Sequence, residues 1–192
     1  MRASARSAIL YVEVKVKRKK KQRIAPELEW RPTGNKRQEA LYHHGKPVST
    51  LQWASMWNVA ATGTSKDGQW HLDRPRLLSQ DVEIYAGETH YGTFSPGWTG
   101  DGSLTLVTGH TYRWVHEDFW QRRWAFVDPL DTTVMQFEDT SGFLVERTAV
   151  IIPRSSIADQ DRALLAILGR YLMALQARDA AAATAAVTAA VC

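Results

Sequence analysis

Side chains able to handle metals or protons gather at few places along the 192 residues. His116-Glu117-Asp118 is the densest set of possible ligands. Adjacent residues at a strand end point in different directions, and no second histidine follows at the helical i, i+4 spacing, so the tripeptide reads as a polar hairpin turn. His43-His44 before Gly45 reads the same way. Asp128 and Asp131 flank Pro129-Leu130, where carboxylate oxygens accept from turn amides, and Asp101 between two glycines is a further turn residue. Ser95, Ser103, Ser141, Ser155 and Ser156 lack the G-x-S-x-G elbow, and no glycine run fits a phosphate loop. General acid–base work by paired carboxylates needs facing positions and a raised pKa, which no spacing here supplies. The expectation is a non-enzymatic protein with no catalytic residues, no metal ligands and no cofactor.

Cations offer a different chemistry. Residues 1–37 hold twelve Lys/Arg against three Glu, a net of +9, whereas residues 38–192 carry a net of −5. The basic character therefore belongs to the head. Within it, Lys17, Arg18, Lys19, Lys20, Lys21 and Arg23 form a polybasic run worth ~1 kcal/mol per residue near an anionic lipid surface. Arg122 and Arg123, between Trp120 and Trp124, and Arg154, after Pro153, are candidates for an anion site at the mouth of the fold. These nine residues are the candidate lipid- or anion-binding set, and a solvated tail and rim are the plain alternative. The run lacks interleaved aromatics, which disfavours nucleic acid. A single cysteine, Cys192, excludes an intrachain disulfide framework and a cysteine-based zinc cluster. It fits a reducing, cytoplasmic setting, peripheral to the membrane at most. No stretch reads as a transmembrane segment or a secretory signal.

The elements that must position these groups are mostly strands. From Leu28 onward, short runs alternating apolar and polar residues are punctuated by turns such as His44-Gly45, Lys66-Asp67-Gly68, Ala86-Gly87-Glu88, Gly109-His110 and Asp128-Pro129. Their spacing predicts an antiparallel meander of ten to twelve strands. Trp114, Trp120, Trp124 and Phe126 are expected in barrel wall and core, with an aromatic ligand platform as the sharper alternative. The stretch Ile157–Leu175 reads as a helix, with Asp159 and Asp161 expected in its first turn opposite the positive end of the dipole. Leu164, Leu165, Ile167, Leu168, Tyr171, Leu172, Met173 and Leu175 wrap most of its circumference, so it must be covered all round. Their burial would contribute roughly 10–25 kcal/mol as an upper limit. A barrel of this many strands is too wide for its own side chains to fill, and the helix is the natural plug. Arg170, inside that helix, needs a partner or a route to water. We expect its small-residue strip, Ala163, Ala166, Ala174 and Ala177, to face a barrel opening or a carboxylate. The expected organisation is a basic extension (1–26), a barrel domain (27–177) and an Ala-rich tail (178–192).

The order Trp30-Arg31-Pro32-Thr33-Gly34, Ser65-Lys66-Asp67-Gly68-Gln69-Trp70-His71-Leu72, Gly102-Ser103-Leu104-Thr105-Leu106, Tyr112-Arg113-Trp114, Phe119–Phe126 and Leu168-Gly169-Arg170-Tyr171-Leu172 resembles an uncharacterised bacterial branch of the tubby C-terminal-like class. That class includes phospholipid scramblases and LURP-one-related proteins. The resemblance covers residues 28–176 and implies a mainly β fold, a closed antiparallel barrel of about 12 strands enclosing a central hydrophobic C-terminal helix. Tubby members bind phosphoinositide head groups and scramblases bind calcium. No segment here matches the phosphoinositide-binding cations residue by residue, and no D-x-[DN]-x-[DN]-G loop matches a calcium site. The functional expectation is a barrel that binds a ligand or an anionic lipid surface. A structural or protein-interaction domain with an unknown protein partner comes second, and an unrecognised hydrolase third.

Overall fold

Alternating apolar residues place one face of each run against the interior, and tight turns reverse the chain before a strand can outgrow its partner. The computed structural model describes residues 28–55, 59–75, 80–117, 122–140, 147–152, 157 and 159–191. It contains the strands β1 (Leu28–Pro32), β2 (Gln38–His43), β3 (Lys46–Trp53), β4 (Ala61–Ser65), β5 (Gly68–Asp73) and β6 (Val82–Ala86). These are followed by β7 (Thr89–Pro96), β8 (Gly102–Leu106), β9 (Thr111–His116), β10 (Arg123–Val127), β11 (Thr133–Asp139) and β12 (Thr148–Ile151), and then by one helix, α1 (Asp159–Val191).

Every strand pairs antiparallel with its neighbours in sequence, and β1 meets β12 to close a twelve-stranded barrel. The closing seam is short: Leu28, Glu29 and Trp30 oppose Val150, Ala149 and Thr148. Closure leaves no strand edge open for pairing with another chain. The turns carry the chemistry their residues predict. His44 and Gly45 both have positive φ (47° and 77°), the primed geometry that matches the twist of a two-residue hairpin.

Inward positions such as Leu51, Leu72, Ile84, Leu104, Phe126 and Phe137 are completely buried. The lumen they line is filled by α1, whose Leu164, Leu165, Ile167, Leu168 and Tyr171 are equally inaccessible. The expected plug is therefore present. Two glycines let the rod sit close to the wall. A Cβ on Gly169 would overlap the Phe137 ring, and one on Gly63 of β4 would overlap the Ile167 side chain.

Alternation of the strands gives the barrel two distinct ends. The chain enters β1 and leaves β12 at one end, where the β2–β3, β4–β5, β6–β7, β8–β9 and β10–β11 turns also lie. The helix starts at this entry end, since Asp161 bonds His110 of the β8–β9 turn. It leaves at the opposite, exit end, where Gln176 Nε2 donates to the Gly100 carbonyl of the β7–β8 loop at 2.8 Å. Beyond Asp179 the helix continues through the Ala-rich segment, so the tail is an extension of the rod rather than a separate element.

Candidate functional site

A charge inside the plugged lumen has to be met locally. Arg170 is buried, and its Nε donates to Glu39 Oε2 of β2 while Nη1 donates to Thr148 Oγ1 of β12 at 3.3 Å. The carboxylate partner expected for this arginine is Glu39. The pair fixes the rotation of the rod about its axis, because only one orientation points residue 170 at the β1–β2–β12 sector.

The entry end holds a second polar cluster. Asp161 lies in the first turn of α1, as its sequence position suggests, but its side chain is not at the solvent-facing start of the helix. It is wholly buried, and two donors converge on one of its oxygens. His110 Nδ1 lies 2.6 Å from Oδ2, and the Tyr112 hydroxyl donates to the same atom at 2.8 Å. The second oxygen, Oδ1, is buried with no hydrogen-bond partner among the described residues. Burial, the bond to Asp161 and the adjoining negative charge together push the Tyr112 hydroxyl well above the ordinary tyrosine range. Tyr91 of β7 is raised in the same sense, first by burial and then by the Asp161 charge. The β8–β9 hairpin thus clamps the start of the rod through a buried carboxylate met by His110 and Tyr112.

At the exit end, Arg178 lies over the Trp53 ring (3.8 Å to the centroid), and Trp53 stacks on Tyr171 (5.2 Å). Arg74 Nη1 pairs with Asp179 at 3.1 Å. Above these contacts the β7–β8 loop is shaped by Thr99 Oγ1 donating to Asp101 Oδ1 (2.7 Å) and by Gly100 at φ 86°. Its tip, Trp98, stands fully in solvent.

The cationic candidates fall at different places. Lys17, Arg18, Lys19, Lys20, Lys21, Arg23 and Arg154 lie outside the described residues. Arg122 and Arg123 are exposed at the exit end, where Arg123 Nε lies 3.9 Å from Glu138. The head joins the barrel at Leu28, at the entry end. Strands of four to eight residues put roughly 20 Å between the ends, beyond the ~8 Å screening length at physiological salt. Arg122 and Arg123 therefore do not share an anion with the head's point of attachment.

The turn assignment holds for Asp128, whose Oδ1 accepts from the Leu130 and Thr132 amides, whereas Asp131 pairs with the Arg113 side chain instead. Trp114, Trp124 and Phe126 are core, with Trp114 and Trp124 stacked at 5.1 Å, while Trp120 lies outside the described residues. Among the described residues no group of three or more His, Cys, Asp or Glu is placed to hold a metal ion, and no helix is long and apolar enough to cross a membrane. No protein-family model, curated protein or solved structure matches the chain.

Sequence reasoning passed over His110, Tyr112 and Asp161 as a group. They are separated by about fifty positions, and the only local signals were a Gly-His turn and an acid in a helical first turn.

Proposed function

We propose that this chain is a non-enzymatic barrel of the tubby-like kind that docks on an anionic lipid surface with its entry end. The observation that carries this reading is the coincidence of two features at that end. Five chain steps separate Arg23 from Leu28 and eleven separate Lys17 from it, so the polybasic run is tethered to the entry end within about 18 Å at its near residue and about 40 Å at its far one. At the same end the hairpin tips present Leu130, 85% exposed, and Val107, 62% exposed, on neighbouring turns. Apolar tips beside a tethered cationic segment suit a surface that is negatively charged outside and oily beneath. The resemblance to a class with phosphoinositide-binding members supports the same choice.

Co-sedimentation with neutral and anionic vesicles tests it. At low salt the chain should pellet with phosphatidylserine-containing vesicles and not with phosphatidylcholine alone, and removal of residues 1–26 or Leu130→Ser should weaken the association. Equal binding to both vesicle types would remove the proposal. One observation favours a protein-interaction domain instead: Trp98 stands in full solvent at the exit end, and exposed tryptophans serve as anchors in protein interfaces. On that reading, deleting residues 1–26 changes neither the proteins recovered in a pull-down nor the chain's location, whereas Trp98→Ala abolishes recovery.

A further inference from the structure

The half-exposed imidazole of His110 is held by a carboxylate that water does not reach. An ionised carboxylate only accepts hydrogen bonds, so the 2.6 Å contact to Asp161 Oδ2 places the ring hydrogen on Nδ1. The Nε2 lone pair is then left as the free ring position. A buried acid fixing the tautomer and stabilising a cationic ring is the arrangement that makes an imidazole a competent nucleophile. The unpartnered Oδ1 keeps Asp161 short of donors, so it has more to gain from a positive ring than a carboxylate already saturated with hydrogen bonds.

The surroundings select the electrophile. His110 borders the first turn of α1, where the helix dipole favours negative charge. His90, a second described histidine bonded to a carboxylate, differs in that its Glu83 partner is 27% exposed.

We propose that His110 is a phosphoryl-acceptor site for small activated phosphoryl donors such as acyl phosphates or phosphoramidates. Nε2 attacks phosphorus, the bond from phosphorus to the leaving oxygen or nitrogen breaks, and the electron pair departs with the leaving group. The Nδ1 hydrogen stays between the ring and Asp161, whose charge offsets the cationic phosphoimidazole. With phosphoramidate the products are Nε2-phosphohistidine and ammonia.

The experiment is incubation of the full chain with potassium phosphoramidate at neutral pH. The phosphoryl mass gain is followed over time and located by tandem mass spectrometry under alkaline conditions. His110 should be modified at least about tenfold faster than His43, His44, His71 or His90 of the same molecule, and Asp161→Asn should reduce that advantage by about ten- to a hundredfold. The comparison among histidines within the unmodified sequence needs no variant, so the test survives if Asp161→Asn fails to fold. Modification of His110 no faster than His71, or a rate indifferent to Asp161→Asn in a folded variant, overturns the assignment.

Discussion

Truncating Arg170 alone would strand Glu39 beside a greasy rod, and truncating Glu39 would strand the arginine. Each single change should cost about 3–5 kcal/mol in urea denaturation, while the double replacement Arg170→Met with Glu39→Leu should recover most of the loss, since apolar groups of similar volume tolerate the site. Tyr171 poses the opposite case. Its hydroxyl is buried without a hydrogen-bond partner, and burial raises its ionisation far above the usual range. Tyr171→Phe keeps the stack on Trp53 and should raise stability at neutral pH by about 1 kcal/mol. The pH dependence has a definite sign. A hydroxyl whose folded pKa exceeds its unfolded value of 10.0 stabilises fully below pH 10, and that contribution is lost as pH climbs toward the folded value. Tyr112 acts in the same direction. Denaturation midpoints should therefore fall above pH 10, and less steeply in Tyr171→Phe. The need of Arg170 for a partner or a route to water was legible because a charge in an all-apolar helix admits few solutions. The His110–Asp161 contact was not legible, because radial position around a barrel leaves no mark on a meander's sequence.

The rod was readable as an element for a simple reason: apolar residues on nearly every side of a helix demand a closed container. Its end was less readable. The segment after Arg178 carries no patterned face, yet it continues as helix because alanine propagates a helix already nucleated inside the barrel. The last ion pair described at the exit end is Arg74–Asp179. A chain ending at residue 179 should keep the urea midpoint of the full chain to within about 0.5 kcal/mol. Ending it at residue 173 removes buried Leu175, the Gln176–Gly100 bond and the Arg178–Trp53 contact, and should cost about 3 kcal/mol or more. The hairpins were legible wherever a turn demanded positive φ, as at His44-Gly45. They were less so where the loops are long, between β5 and β6 and between β9 and β10.

For the molecule as a whole, a count of ten to twelve strands followed from spacing, and the closed topology from the need to hide edges and fill the lumen. The division of labour between the ends did not. It depends on the parity of turns counted from a first strand whose start had to be known, and an error of one strand would exchange the two ends. That parity separates the head's attachment from Arg122 and Arg123, and puts Leu130 with the head but Trp98 against it.

The seam between β1 and β12 has a consequence for how the barrel comes into being. Its two sides are over a hundred residues apart, and the filling follows every strand in the chain. A ribosome delivers the staves first and the bung last. Until the bung arrives, the inner faces of the staves must wait in water, a state prone to clumping and to capture by chaperones. The hazard therefore peaks during synthesis, and how much intact protein a cell recovers would track the speed of that final closure more closely than the strength of the finished cask.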